Sequence, residues 1–268
     1  MRINNNIAAY NAYRNVSGTN SAMSRSLEKL SSGNRINRAA DDAAGLVISQ
    51  KLRAEASGLR TAVRNVQDGV SVVQVAEGSL TEIHSMLNRM RDLAVQAANT
   101  GANDATAVSA AQAELDALVA EIDHIASETQ FAGVNLLDGT YTTKTFQVGA
   151  ASGDTVSVSI NAMSSTALTV NSLTLNNAAT AITDIDAAIA AVSAERGSLG
   201  ALQNRFESMI NNLQVSVENL TASESRIRDA DMASEMITFT RNQILQQAGM
   251  AMLAQANSVP QTVLKLLQ

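Results

Sequence analysis

Apolar residues recur at every third and then fourth position along one stretch of the chain. The series is Leu59, Ala62, Val66, Gly69, Val73, Ala76, Leu80, Ile83, Leu87, Met90, Ala94 and Ala97, eleven apolar residues and one glycine. Arg64, Asp68, Glu77, Glu82, Arg91 and Asp92 fall between them. A 3.5-residue period held over this span predicts a long helix with one sticky seam. At about 1.5 Å per residue the helix is roughly 60 Å long, and its seam needs an equally long partner surface.

The rest of the chain supplies candidates for that surface. Thr100-Gly-Ala-Asn-Asp reads as a helix stop, a turn and an N-cap. Val108, Ala111, Leu115, Leu118, Ile122 and Ile125 then repeat the spacing, so two helices joined by a short turn predict an antiparallel hairpin. From Phe131 the pattern changes. Phe146-x-Val148 and Val156-x-Val158-x-Ile160 alternate with period two around Gly149 and Gly153, which predicts a β-hairpin with Ser and Thr on the solvent side. Helical spacing returns at Ile182 or Ile185 and runs through Val192, Leu199, Leu202, Phe206, Met209, Leu213 and Leu220, with polar Glu195 and Ser216 intruding.

The two ends carry thinner stripes. Ile3, Ile7, Tyr10, Tyr13, Val16, Met23, Leu27 and Leu30 are diluted with Asn, Ser and Thr. At the other end Leu245, Met252, Ala256, Val259, Val263 and Leu266 form a stripe that Pro260 is expected to kink. Between the first stripe and the long helix lies a polar break, Ser31 to Asp42, with Arg35, Arg38, Asp41 and Asp42 close together. Adjacent acids at a helix start suit dipole and cap roles; they also suit an interdomain or intersubunit salt-bridge network. The order of elements is nearly palindromic, and the simplest packing sets the two ends side by side with the β region at the far tip. The expected fold is mainly α, a long antiparallel helical bundle or coiled coil with a small β-hairpin region at about 131–180 and paired N- and C-terminal helices. Residues 1–40 and 230–268 are expected to form one domain and 41–229 the other.

Composition narrows the function. Aromatics make up 3% of the chain, and there is no Trp, no Cys and one Pro. Small side chains suit close helix packing, and without cysteine there are no disulfides, thiolate metal sites or cysteine nucleophiles. The net charge is −6, concentrated in the middle of the chain, which disfavours a nucleic-acid binder. No run of 18 apolar residues predicts a membrane span, and Met1-Arg-Ile-Asn-Asn-Asn lacks the apolar core of a secretory signal. His84 and His124 are the two histidines; His124 with Glu121 and Glu128 is a possible metal set without a supporting motif. Gly197-Ser-Leu-Gly200 lacks a phosphate-loop lysine. No catalytic residue, cofactor site or metal site is expected, and the chain does not read as an enzyme.

Two sets of motifs carry a resemblance. Met1-Arg-Ile-Asn-Asn-Asn-Ile-Ala-Ala, the run Leu27-Glu-Lys-Leu-Ser-Ser-Gly-Asn-Arg-Ile-Asn-Arg-Ala-Ala-Asp-Asp-Ala-Ala-Gly-Leu and Gln67-Asp-Gly-Val-Ser resemble the N-terminal region of bacterial flagellin. Glu218-Asn-Leu-Thr-Ala-Ser-Glu-Ser-Arg-Ile-Arg-Asp-Ala-Asp-Met-Ala and Ala254-Gln-Ala-Asn-Ser-Val-Pro-Gln-Thr-Val-Leu-Lys-Leu-Leu-Gln resemble its C-terminal region. Between Leu137 and Ala181 there is no room for the large variable outer domains of long flagellins. The resemblance implies a secreted, extracellular flagellar filament built by helical self-assembly after type III export. It also implies an export chaperone, a filament cap protein and a hook–filament junction protein as partners. Ile3, Ile7, Leu27, Leu30, Val259, Val263 and Leu266 would serve core assembly. Asn88-Arg-Met-Arg-Asp-Leu-Ala-Val-Gln is similar to the family stretch used for protofilament contact and for binding the host Toll-like flagellin receptor, which assigns those roles to Arg89 and Leu93, with Glu114 as the acidic partner. The alternatives are a hook–filament junction protein, with similar ends, and a signalling coiled coil, which would want a membrane tether.

Overall fold

The computed structural model describes residues 5–99, 101 and 103–266, with side chains up to residue 258. Its helices are α1 (Ile7–Ser32), α2 (Ala43–Ala98), α3 (Ala105–Glu128), α4 (Ala178–Arg228) and α5 (Met232–Leu266). Its strands are β1 (Gln130–Phe131), β2 (Val134–Asn135), β3 (Lys144–Gln147) and β4 (Thr155–Val158). The fold is mainly α, as the hydrophobic pattern predicts. α5 runs through Pro260 without a break in the helix. Two compact units result: residues 1–55 with 219–268, and residues 56–218.

The second unit holds the main core. Every seam position from Ala62 to Ala97 is buried and Leu59 is half-buried. Val72 and Leu93 are buried beside the seam at 3% and 2% exposure, so the apolar face is wider than two positions per heptad, as a helix packed against more than one neighbour requires. Leu115, Ile122 and Ala126 of α3 and Ala181, Ile185, Ala188, Val192, Leu199 and Phe206 of α4 fill the same core. Asp104 caps α3, its carboxylate accepting from the Ala107 N–H at 2.7 Å. Of the turn Thr100 to Asp104, Thr100 and Ala102 lie outside the described residues.

The strands form two antiparallel pairs. β3 and β4 pair with Phe146 opposite Val156, and Val156, Val158 and Ile160 are buried while Thr155, Ser157 and Ser159 face solvent. The shorter pair, β1 with β2, turns at Ala132 (φ 49°) and Gly133 (φ 81°), two consecutive left-handed residues of the kind a two-residue hairpin needs. The β3–β4 hairpin is not at a tip beside the α2–α3 turn. It lies along the early part of this unit's α2: Asn65 donates to the Gln147 carbonyl at 3.1 Å, and Phe146 meets Phe206 edge-on at 5.9 Å between centroids. The ring of Phe206 needs depth to sit there, and Gly69 provides it.

Three polar side chains, of which Glu195 is buried, Gln112 half-buried and Asp123 exposed, pin the irregular segment that follows β4. Glu195, 6% exposed, accepts from the Asn161 backbone N–H at 3.3 Å and its side-chain amide at 2.7 Å. Asp123 accepts from the Ser165 N–H at 2.8 Å and its hydroxyl at 2.7 Å. Gln112 donates to the Leu173 carbonyl at 3.0 Å and accepts from the Leu175 N–H at 2.8 Å. These bonds satisfy backbone groups that no strand or helix serves, and they let Met163, Leu168, Val170 and Leu173 complete the core.

In the first unit α1 and α5 lie against each other. The face that α1 turns inward carries Ala9, Ala12, Val16, Thr19, Ala22 and Ser26 at helical spacing, all at least half-buried. Small residues let two helix backbones approach closely. At Gly249 of α5 the approach is close, since a Cβ there would meet Val16 Cγ2 at 2.6 Å. Asn6 donates to the Ala256 carbonyl at 2.8 Å, and the Ser26 hydroxyl donates to Glu235.

Candidate assembly surface

The face by which α1 and α5 meet is therefore small and partly polar. Phe239 and Leu253 of α5 are half-buried, but most of the large apolar residues point elsewhere. On α1, Ile7 is 65% exposed, Tyr10 69%, Tyr13 63% and Leu27 56%. On α5, Ile237, Ile244, Leu245, Met250 and Met252 are each more than half exposed, as are Val47 and Ile48 at the start of α2. Single exposed apolar side chains need no explanation, but a concentration of this kind marks an interaction surface. Of the residues expected to serve core assembly, Ile7 and Leu27 are on this surface and Leu30 is half-buried. Ile3 and the side chains of Val259, Val263 and Leu266 lie outside the described residues.

The polar break between α1 and α2 is ordered from within. Gly33 ends α1 in the left-handed region at φ 71°, its N–H donating to the Lys29 carbonyl. The connector then pairs with the short break between α4 and α5: Arg35 N–H donates to the Arg228 carbonyl at 2.6 Å, and Ala230 N–H to the Gly33 carbonyl at 2.9 Å. The Arg35 guanidinium donates twice to the Ile227 carbonyl, at 3.2 and 2.6 Å, satisfying a C-terminal carbonyl of α4. Asp41 accepts from the Asn37 and Arg38 N–H groups, and these bonds hold its carboxyl below the usual range. Asp42 caps α2, accepting from the Gly45 N–H at 2.8 Å. Arg38 pairs with Glu28 at 2.9 Å. Ile36, 1% exposed, anchors the connector against Gly45, where a Cβ would sit 2.8 Å from Ile36 Cδ1. All four charged residues singled out in the sequence thus have partners inside this unit; the hydrophobic anchor Ile36 did not stand out beside them.

On the second unit, Arg89 and Glu114 meet across α2 and α3 at 2.6 Å, both about half exposed. Leu93 is not beside them on the surface. It is 2% exposed and part of the core, because its position on the flank of the seam faces a second helix. A parallel pair, Arg91 with Asp186 at 2.6 Å, ties α2 to α4. His84 is half-buried, and His124, Glu121 and Glu128 are exposed. Among the described residues no three His, Cys, Asp or Glu converge as a metal site, and no helix is long and apolar enough to cross a membrane.

Two family models cover most of the chain. Residues 3–142 match the bacterial flagellin N-terminal helical region and residues 182–267 the bacterial flagellin C-terminal helical region. The chain belongs to the bacterial flagellin family. It is 49% identical to the flagellin of Bacillus subtilis (strain 168) and 50% identical to that of Halalkalibacterium halodurans, in both cases over all of each chain. It is 44% identical, again over all of each chain, to the flagellar filament 33 kDa core protein of Treponema phagedenis. The crystal structure of Bacillus cereus flagellin superposes with a TM-score of 0.50 at 38% identity, covering 56% of this chain and 88% of that one. The segment between the two matched regions is short in this flagellin, and it is the segment that holds β3, β4 and the loop pinned by Asp123 and Glu195.

Proposed function

We propose that this flagellin is the structural subunit of an extracellular flagellar filament serving swimming motility, with no enzymatic role. The observation that carries the reading is the division of apolar side chains in the first unit: α1 meets α5 mainly through small residues, and the pair leaves Ile7, Tyr10, Tyr13, Leu27, Ile237 and Ile244 exposed. Further copies of the chain supply the cover. At about 25 cal/mol per Å2, burying several such side chains per subunit gives association a driving force that offsets the ordering of the helices. In this reading residues 1–40 and 230–268 form the inner, filament-core domain and residues 41–229 the outer one. Arg35, Arg38, Asp41 and Asp42 hold the connector in the form that packing needs, so charge reversal at Asp42 alters filament shape or blocks assembly. Export through the type III apparatus, with a chaperone, a cap protein and a junction protein as partners, belongs to the same reading.

Seeding purified chain with filament fragments tests it. Micrometre filaments grown from the seeds are the expected result; a chain that caps the seeds without extending them is a hook–filament junction protein instead. Recognition by the host Toll-like flagellin receptor is a second reading, favoured by the exposed Arg89–Glu114 pair. Arg89→Ala is expected to weaken both receptor signalling by free chain and polymerisation; parent-like behaviour in both assays removes it.

A further inference from the structure

The chain has ten methionines and no cysteine, so thioethers are its only sulfur chemistry. The fold sorts them sharply. Met90 and Met163 are buried at 0% and 4% exposure, and Met23, Met86 and Met209 are half-buried. Among the described residues the four exposed methionines are all on α5: Met232 at 47%, Met236 at 50%, Met250 at 56% and Met252 at 65%. At about 100° per residue, Met232, Met236 and Met250 fall within about 40° of one another around the helix, and Met252 falls about 160° from them. Met236 also borders a shallow apolar groove with Ile237, Ile244 and Leu245.

From this sorting we infer that α5 carries a peroxide-sensitive modification site, and that oxidation of Met232, Met236, Met250 and Met252 to the sulfoxide reversibly blocks addition of the free chain to a filament. The inference rests on the filament reading above, in which the exposed sides of α5 are covered by other copies. The oxidant is hydrogen peroxide or another two-electron peroxide. A sulfur lone pair attacks one peroxide oxygen, the S–O bond forms as the O–O bond breaks, and the departing hydroxide takes the proton of the transferred oxygen to leave as water. Sulfur loses two electrons and peroxide gains them. Susceptibility follows exposure, so the α5 thioethers react before those of the core. The product replaces a flexible apolar group with a polar, chiral one. Exposed on the free chain, it costs the fold nothing; beneath another subunit it must give up its water without a partner built to receive it. Thiol-dependent sulfoxide reduction restores the thioether.

The experiment treats free chain with graded hydrogen peroxide and reads intact mass, peptide mapping and seeded elongation. The expected result is uptake of up to four oxygens, about 16 Da each, mapped to the α5 methionines, with far-UV circular dichroism unchanged. Elongation should fall at least about tenfold, the effect of burying an unsatisfied polar group at a contact, and recover after methionine sulfoxide reductase treatment. The variant Met232→Leu/Met236→Leu/Met250→Leu/Met252→Leu keeps the apolar volume and should elongate after peroxide as before it. Oxidised parent that elongates at the untreated rate overturns the inference, as does a quadruple variant that peroxide inhibits equally. The mapping is read without assembly, and oxygens arriving first at Met23, Met86 or Met209 also overturn it. Untreated chain that does not elongate counts against the filament reading instead, and is seen before any peroxide is added.

Discussion

Gly69 and Gly78 sit nine residues apart on α2, and the same substitution should move stability in opposite directions at the two sites. At Gly78 a Cβ would find no atom within 4 Å. Alanine there removes the helix penalty of glycine, and the expected gain is about 0.5–1 kcal/mol. At Gly69 the same Cβ would lie 2.9 Å from Phe206 Cε2 and 3.2 Å from Cζ, with Phe146 Cδ1 at 3.5 Å. Phe206 is fully buried, and Phe146 stands edge-on to its ring, so the ring has no free side to retreat into. Overpacking of this kind costs about 1–3 kcal/mol, which outweighs the propensity gain of about 1 kcal/mol. The two variants should differ by about 2 kcal/mol, with Gly69→Ala below the parent and Gly78→Ala above it. Urea unfolding of the full chain followed by far-UV circular dichroism measures the difference. Phe206→Leu supplies the control, because the double variant Gly69→Ala/Phe206→Leu should be less destabilised than the sum of its parts. A Gly69→Ala chain as stable as Gly78→Ala, or strict additivity with Phe206→Leu, would refute the account of how β3 is seated on the helices.

Three further outcomes are expected. Limited proteolysis of the free chain should trim both ends to a core of about residues 45–225, because isolated stripes as thin as those of α1 and α5 give marginal helices; ends as resistant as the core would contradict this. Ile36→Ala should cost about 2–4 kcal/mol by emptying a fully buried site, and should open the connector to cleavage between Gly33 and Asp42 well before the second unit is cut. Asp138, held below the usual carboxyl range by the Thr140 hydroxyl and N–H, binds its proton less readily folded than unfolded; its contribution is full above the unfolded pKa of about 3.9 and is lost as pH falls through the lower folded value. Unfolding midpoints measured from pH 7 downward should therefore fall less steeply below pH 4 for Asp138→Asn than for the parent.

The long seam of α2 was legible because burial and hydrophobicity coincide there: from Ala62 to Ala97 the buried positions are the apolar ones. Leu93 shows the limit of a two-position seam. On the flank of a heptad it reads as an edge residue, and only the presence of both α3 and α4 against α2 places it in the core. Glu195 was visible as an irregularity in the α4 stripe, but its role depends on Asn161, 34 residues away, and no local pattern encodes that pairing. The β1–β2 turn was hidden for a different reason. Its two left-handed residues are Ala132 and Gly133, and alanine gives no signal for that backbone conformation.

The terminal helices divide their side chains between two contacts. Reading α1 for large apolar residues selects Ile7, Tyr10, Tyr13 and Leu27, and the structure turns all four outward. It pairs α1 with α5 through Ala9, Ala12, Val16, Thr19 and Ala22 against Gly249 and its neighbours. A contact between small residues buries little apolar area, so it holds the pair together weakly. It also fixes the pair closely in register, because small residues permit little sliding once Val16 sits over Gly249. The strong apolar groups are thereby left for a different contact, one that exists only when other copies are present. A helix pair with its large side chains inside would be stable alone and would have nothing to assemble with. The weak internal face and the exposed external one are two consequences of the same allocation of side chains, and they tie the marginal stability of the ends to their capacity to polymerise.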